Sequence, residues 1–273
     1  MKAVHMLAWS LRLDLTLLFR VGGIPLPAKV ALILRKYLQY LIGRVAGPAE
    51  KGSCTTVFGA SFCCADPLGL ASLQRVYCDS YALKGYLPAR PVVLDVGANI
   101  GQFAFFARQY LEAARVISVE PLPESYQLLL SNAPDTRDCL CCAVSDQEGS
   151  VVLHVAKETT QLSSYVPQPG DVYSACHTVA ARTLDGIASE LGVGEVDLLK
   201  IDTEGSEFDV LNSAQELLHR CKFVLVEMSV FRNCSGNLFR IGAFLQERGF
   251  ELVALSPCRQ GRPRDLDGLF RRV

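Results

Sequence analysis

The stretch that decides the fold is Val92-Val-Leu-Asp-Val-Gly97-Ala-Asn-Ile-Gly101, a near-continuous apolar run followed by a glycine-containing turn. Such a run is typical of a strand that is covered on both faces in a parallel sheet. The turn opens an amphipathic segment, so the stretch predicts a strand, a tight loop and a helix. The loop has the spacing G-x-x-x-G, which differs from the G-x-G-x-x-G of dinucleotide-binding proteins.

Outward from this stretch, short apolar runs alternate with helical segments, a pattern typical of stacked βα units. The sequence therefore predicts an α/β protein with a doubly wound sheet. The predicted strands are Val92–Val96, Val116–Glu120, Asp138–Val144, Val196–Ile201, Phe223–Met228, Glu251–Leu255 and Gly268–Arg271. The predicted helices are Gly101–Glu112, Pro123–Asn132, Arg182–Leu191, Ser206–His219 and Asn237–Arg248. A hairpin that includes Ser150–Ala156 is expected as an insertion.

Composition and charge exclude several classes of protein. Half of the 273 residues are hydrophobic and a fifth are charged, which is typical of a folded chain and not of a disordered one. The formal net charge is −1, but residues 1–50 carry +5 and residues 259–273 carry +3, which leaves −9 on the rest. Because backbone binding to nucleic acid needs a field of Lys and Arg, this acidic body argues against a nucleic-acid partner.

The eleven cysteines include adjacent pairs and do not resemble a spaced disulfide framework in a long, core-rich chain. We expect most of them to be reduced, buried thiols in a cytoplasmic protein. A metal site formed by the four cysteines nearest the N-terminus is the weaker alternative, because they contain no C-x-x-C pair. Those four are Cys54, Cys63, Cys64 and Cys78.

Residues 1–85 are predicted to form an N-terminal helical extension and connector, ahead of an α/β domain at residues 86–273. Within Lys29–Val45 the apolar residues recur at helical spacing, and Lys29, Arg35 and Lys36 fall on the other side. We expect this helix to pack its apolar stripe on the main domain and to leave its basic face in solvent. Contact of residues 29–45 with an anionic membrane surface is the alternative. The first apolar runs are broken by charges, so neither a spanning helix nor a signal peptide is expected.

The carboxyl ends of the predicted strands carry the candidate ligand-binding residues. Asp95 and the glycine loop would suit a nucleoside with an amino-acid tail, with Gly97 allowing close approach of the backbone. Glu120 ends the next strand, where an acidic residue in a Rossmann-like fold binds ribose hydroxyls. Val144 and Ser145 close the third strand, where an adenine could rest. A plain turn is the alternative at this third position.

A second group of acidic residues follows the fourth strand in Lys200-Ile-Asp202-Thr-Glu204-Gly-Ser-Glu207. Like charges this close are costly unless something uses them. Asp202 is expected beside the loop of Gly97, Glu204 is expected to contact substrate, and Glu207 is expected to favour the start of a helix. Glu227 ends the fifth strand at the same edge and is a further candidate contact. Weaker candidates in the insertion are His177 and Tyr165.

Five short motifs together resemble the FkbM-type methyltransferases, a branch of the S-adenosylmethionine-dependent class I fold. They are DVGANIG at 95–101, VEP at 119–121, AVSD at 143–146, TLD at 183–185 and KIDTEGSE at 200–207. The resemblance covers residues 92–270, although Thr203 stands where the family more often has an aliphatic residue. It implies a seven-stranded sheet with an antiparallel last strand and S-adenosylmethionine as methyl donor.

The resemblance also implies O-methylation of a hydroxyl on a sugar, a glycan or another small metabolite. The donor would be bound by Asp95, Gly97, Asn99, Gly101, Glu120, Val144, Ser145 and Asp202. Asp202 is the expected base or hydroxyl orienter, with Glu204 and Glu227 as further catalytic contacts. No metal is expected, with a divalent cation bound by two of the carboxylates as the alternative. Two alternatives stay open: an NAD-linked oxidoreductase of the same topology, and a binding module that keeps the donor site without catalysis.

Overall fold

The computed structural model describes residues 2–46, 53–65, 69–156, 173–230, 236–257 and 265–273. Its helices are α1 Lys2–Phe19, α2 Leu26–Ala46, α3 Gly69–Ser80, α4 Gln102–Gln109, α5 Pro123–Asn132, α6 Leu184–Glu190, α7 Glu207–Asn212, α8 Gln215–Leu218 and α9 Leu238–Glu247. Its strands are β1 Ser53–Val57, β2 Ala60–Cys64, β3 Val92–Val96, β4 Arg115–Val119, β5 Cys139–Leu140, β6 Ala143–Val144, β7 Gly149–Ala156, β8 Tyr173–Arg182, β9 Val196–Ile201, β10 Cys221–Ser229, β11 Phe250–Pro257 and β12 Asp265–Arg272.

A seven-stranded sheet forms the centre of the molecule, in the order β11-β12-β10-β9-β3-β4-β5. Strands β10, β9, β3, β4 and β5 run parallel, and the last strand β12 is antiparallel to both of its neighbours. The prediction of a mostly parallel seven-stranded sheet with an antiparallel last strand is therefore confirmed. Because parallel strands end at the same edge, the loops after β3, β4, β9 and β10 meet there.

A smaller three-stranded sheet, β6-β8-β7, lies at the side of the central sheet. It contains the predicted insertion, in which β7 and β8 pair as antiparallel strands. The predicted single strand Asp138–Val144 is wrong, because the chain pairs with β4 only at Cys139–Leu140 and then moves to β8 at Ala143–Val144. Cys141, between the two short strands, is exposed.

The predicted single helix Ser206–His219 is also wrong, because it is divided into α7 and α8. One polar side chain from another segment and one at the break itself explain the division. The carboxylate of Asp185 accepts the backbone N–H groups of Glu216 (2.9 Å) and Leu217 (2.8 Å), which caps the start of α8. The hydroxyl of Ser213, at the break, accepts the backbone N–H of Leu184 at 3.1 Å.

The N-terminal helices cover one face of the central sheet. Helices α1 and α2 pack on each other and on α3, and α3 packs on α4. One continuous core joins them to the sheet, in which Leu17 and Tyr77 are buried together with Phe106 and Leu198. None of the helices in the described part of the chain is long and apolar enough to cross a membrane.

The expected orientation of the helix at Lys29–Val45, which the structure extends to α2, is wrong. Lys29 and Lys36 are buried, whereas Leu34 is 64% and Leu38 is 57% exposed. The buried amines have specific partners: Lys36 forms an ion pair with Asp14 of α1, and Lys29 donates to the carbonyls of Leu18 and Val21 at the end of α1. The two charges therefore fasten α2 to α1, and much of the apolar stripe faces solvent.

The cysteines differ from expectation at one pair. Cys54 and Cys63 lie directly opposite each other on the hairpin β1–β2 and form a disulfide. Cross-strand partners of this kind bring two Cβ atoms close enough for a bond, although the two residues are nine apart in sequence. Five of the free cysteines in the described ranges are buried, as expected; they are Cys64, Cys78, Cys139, Cys142 and Cys221.

Candidate active site

The glycine loop after β3 lies directly against the end of β9. Gly97 has a φ of +76°, and a Cβ on it would lie 1.9 Å from the backbone carbonyl oxygen of Asp202. Glycine is therefore required by the contact between the two loops as well as by the backbone conformation. Asp202 also donates its backbone N–H to the carbonyl of Val96 at 3.1 Å. The two predicted ligand loops are thus held together.

A buried ion pair lies beneath these loops. Lys200 Nζ lies 3.0 Å from Asp95 Oδ1, donates to the carbonyl of Gly97 at 3.0 Å and lies 3.7 Å from Asp202 Oδ2. Burial raises the pKa of the Asp95 carboxyl, and the charge of Lys200 opposes that rise. Burial alone would lower the pKa of Lys200, but the charges of Asp95 and Asp202 outweigh it and raise that pKa. The ion pair of Asp95 and Lys200 therefore holds the glycine loop in place from below.

Glu120 stands immediately after β4 and is buried. One carboxylate oxygen accepts the backbone N–H of Asn99 at 2.8 Å, and the other accepts that of Leu122 at 2.9 Å. Burial raises the pKa of Glu120 to about 7, against the lowering effect of these two bonds. The side chain is thus oriented at the edge of the site, close to its protonation midpoint at neutral pH.

Four carboxylates surround the end of β9 and the facing part of β10. Oxygens of Asp202, Glu204 and Glu227 lie within 4.8 Å of one another, and Asp267 lies opposite Glu227 on the neighbouring strand β12. Burial, followed by the charges of Asp202, Glu204 and Asp267, raises the pKa of Glu227 well above its usual value. A proton on Glu227 relieves the repulsion, as would a divalent cation bound by the three converging carboxylates.

Glu207 holds the loop that carries this group. Its carboxylate accepts the backbone N–H groups of Thr203 (3.2 Å) and Gly205 (2.8 Å), and the Thr203 hydroxyl at 3.3 Å. The loop includes Glu204 at a φ of +57°, a left-handed conformation that a side chain other than glycine rarely adopts. Glu207 therefore fixes an unusual backbone path, in addition to favouring the start of α7 as predicted.

These loops surround one pocket, and the structure places most of the predicted residues on its wall. Gly97, Asn99, Glu120, Val144, Asp202, Glu204 and Glu227 line it. Three others lie behind it. Asp95 faces Lys200 below the wall, Gly101 allows α4 to start against Leu129 of α5, and Ser145 donates its backbone N–H to the carbonyl of Arg182.

Of the two weaker candidates in the insertion, His177 does not line the pocket. His177 Nε2 lies 3.9 Å from a Glu124 carboxylate oxygen, away from the pocket wall. Tyr165 lies outside the described residues.

Helix α3 supplies a part of the pocket that the sequence reasoning missed. Ser72, Arg75, Val76 and Asp79 also line the pocket, and Arg75 Nε lies 3.1 Å from Asp79 Oδ2. Burial raises the pKa of Asp79, and Arg75 opposes that rise. The only sequence signal was the pattern of Leu70, Leu73 and Tyr77, which identifies the buried side of a helix and not what its other side meets.

Comparison with known proteins gives one family and several relatives. The model of the methyltransferase FkbM domain matches residues 95–252. The chain is similar to the 2-O-methyltransferase NoeI of Sinorhizobium fredii, with 30% identity over 61% of this chain and 75% of that protein. It is also similar to the 31-O-demethyl-FK506 methyltransferase FkbM of Streptomyces tacrolimicus, with 29% identity over 66% and 81%.

Two further similarities are more distant. The hexuronic acid methyltransferase AglP of Haloferax volcanii is 27% identical over 50% of this chain and 55% of its own length. The crystal structure of a methyltransferase FkbM from Methylobacillus flagellatus matches 75% of this chain and 54% of that chain, with 16% identity and a TM-score of 0.45.

Proposed function

The chain belongs to the FkbM methyltransferase family, and from this premise we propose that it transfers a methyl group from S-adenosylmethionine to a hydroxyl of a sugar, a glycan or another small metabolite. The observation that carries the proposal is that Glu120, the loop of Gly97 and the carboxylate group at Asp202 line one pocket. The names of the relatives NoeI and FkbM support an oxygen acceptor.

The residues on the pocket wall fit the chemistry of the methyl donor. The oriented carboxylate of Glu120 matches the two hydroxyls of a ribose, which donate to such a fork. Val144 and Leu153 give an apolar surface for an adenine, and the loop from Gly97 to Asn99 would meet the amino-acid tail. When bound, the donor supplies a sulfonium methyl group that is already activated. The protein's own task is then to bind and align the acceptor.

The acceptor hydroxyl is proposed to lie beside Asp202. The side chain of Asp202 is 44% exposed and lines the pocket, so it can reach a hydroxyl and accept its proton. Glu204 and Glu227 are proposed to contact the acceptor from the same wall, with Glu227 in its protonated form as a hydrogen-bond donor. Arg75 and Asp79 of α3 close the pocket on the acceptor's other side.

The cluster of Asp202, Glu204 and Glu227 allows a test of whether methyl transfer needs a metal ion. We expect the proton on Glu227 to serve in place of a cation, so that methyl transfer persists after dialysis against EDTA. Activity that disappears on chelation and returns with Mg²⁺ would contradict this and assign a cation to Asp202, Glu204 and Glu227.

We propose a cytoplasmic protein without a nucleic-acid partner. The seven free cysteines among the described residues and the acidic body of the chain support this. The Cys54–Cys63 disulfide argues in the other direction, because disulfides persist mainly in oxidising compartments. Cell fractionation, with free thiols blocked before lysis, tests the location and the disulfide together.

Calorimetry tests the donor, and a methyl-transfer screen tests the acceptor. We expect micromolar binding of S-adenosylmethionine and none of NAD. Glu120→Gln should weaken donor binding, whereas Glu124→Gln, which changes a 64% exposed carboxylate on the adjacent helix, should not. The screen uses sugars, glycans and hydroxylated metabolites. Binding of NAD alone would overturn the donor, and donor binding without transfer to any hydroxyl would favour a non-catalytic module.

A further inference from the structure

The sides of α1 and α2 that face away from the protein are apolar and exposed. On α1, Leu15 is 57% and Phe19 is 80% exposed. On α2, Leu34, Leu38 and Leu41 are 64%, 57% and 61% exposed. Folded proteins rarely leave a continuous apolar surface of this kind in water unless it meets a partner or a membrane. We refer to this surface as the outward face of α1–α2.

The exposed residues form one stripe along each helix. Leu11, Leu15 and Phe19 recur at intervals of four residues, and so do Val30, Leu34 and Leu38, followed by Leu41. Residues at this spacing lie above one another on a helix. Because α1 and α2 pack side by side and both pack on α3, the sides away from α3 are neighbouring parts of one surface.

The charges beside this surface have one sign. Arg20, which follows α1, and Arg35 of α2 are exposed, whereas the exposed Arg12 of α1 interacts electrostatically with Asp79 of α3. Asp14 is the only acidic residue in 1–46, and it points inward to its buried ion pair with Lys36. The outward face of α1–α2 therefore combines apolar side chains with arginines that no carboxylate on these helices neutralises. This combination is complementary to an anionic lipid surface, which attracts the arginines and accommodates the apolar groups.

We propose that the outward face of α1–α2 docks on an anionic membrane surface, with the helices lying in the interfacial plane. Neither of these two helices is both long and apolar enough to cross a bilayer. The buried Lys29 and Lys36 fix α2 against α1. The outward face of α1–α2 is therefore already formed in the protein before it meets lipid. This inference is independent of the proposed methyl transfer.

Flotation with vesicles tests the apolar part of the surface. The full chain should bind vesicles of equal parts phosphatidylcholine and phosphatidylglycerol. Leu34→Ser and Leu38→Ser should each weaken binding by about tenfold, because each removes a large apolar group from the lipid contact. Phe239→Ser is the matched control, since Phe239 is 76% exposed on α9, and it should leave binding unchanged. Absence of binding by the full chain would overturn the proposal.

Charge variants test the electrostatic part. Arg20→Gln and Arg35→Gln should each weaken binding to the same vesicles by about fivefold, and added salt should weaken binding of the full chain. Arg137→Gln, whose side chain is 88% exposed on a different surface, should have no such effect. Equal binding to vesicles of phosphatidylcholine alone would overturn the anionic preference.

Sedimentation velocity without lipid tests whether a second copy of the chain covers the same surface. We expect a monomer. A stable dimer that Leu34→Ser dissociates would identify the outward face of α1–α2 as a protein interface and overturn the membrane proposal.

Discussion

Replacing Lys200 by Met should destabilise the fold far more than replacing an exposed lysine does. The amine of Lys200 is the cation 3.0 Å from Asp95, a carboxylate with no exposed surface. Methionine has a similar volume but cannot donate, so the change removes the charge and leaves the packing largely intact. Asp95 would then be a buried anion without its counter-charge, which proteins avoid.

The size of the effect follows from that burial. Removing one partner of a buried ion pair costs about 3–5 kcal/mol, a large share of the roughly 5–15 kcal/mol by which domains are stable. Without Lys200, the main opposition to burial is lost, and the pKa of Asp95 rises further above its unfolded value. The variant is therefore most stable at acidic pH, where Asp95 is protonated, and loses stability as pH rises through the folded-state pKa of Asp95.

Urea unfolding followed by far-ultraviolet circular dichroism measures this loss at acidic and at neutral pH. Lys222→Met is the matched control, because Lys222 pairs with Asp197 at 2.9 Å but is 50% exposed, so it should cost less than about 1 kcal/mol. The double variant Asp95→Asn/Lys200→Met should recover most of the loss at neutral pH. A Lys200→Met variant as stable as Lys222→Met, or a double variant less stable than Lys200→Met, would refute the reasoning.

Three further changes probe the site itself. Asp202→Asn should slow methyl transfer by about a hundredfold or more with little change in donor affinity; single-turnover rates and calorimetry measure the two, and a near wild-type rate would remove Asp202 from the mechanism. The pKa of Glu120 is about 7, and its anion is the form suited to ribose, so donor affinity should fall about tenfold from pH 8 to pH 6. Calorimetry should show that the donor affinity of Glu120→Gln does not depend on pH in this range. An equal pH dependence in the variant would exclude Glu120 as its source. Glu207→Ala should cost about 2–3 kcal/mol in urea unfolding, because the loop N–H groups lose their acceptor, and Glu207→Gln should cost less; equal costs would argue against the bonds to Thr203 and Gly205.

The central sheet and its functional edge could be predicted from sequence because the relevant signals are local. A strand buried on both faces has to be apolar along its length, as Val92–Val96 and Val196–Ile201 are. The residues that follow such strands fall at one edge whatever the rest of the fold is. The proximity of Gly97 and Asp202 could therefore be predicted from the sequence, although the two residues are far apart in the chain.

What sequence could not provide was set by contacts between distant segments. The division of α7 from α8 depends on Asp185, which caps a helix about thirty residues later in the chain. The orientation of α2 depends on Asp14, since the hydrophobic pattern alone places Lys36 in solvent. The pocket wall formed by α3 depends on which face of the sheet the N-terminal helices cover. The hydrophobic periodicity of α3 does not indicate which face this is.

The aromatic contacts between the N-terminal segment and α4 affect how this protein can be shortened. Phe62 packs edge-on against Phe105 at 5.2 Å between ring centres, and Tyr77 does the same with Phe106 at 5.1 Å. A chain that began at residue 86 would expose both phenylalanines of α4 to water, although each is buried in the full chain. Such a fragment would keep every strand of the central sheet and still be expected to aggregate. The smallest piece that can be produced in a folded state therefore begins well ahead of the motifs that identify the enzyme.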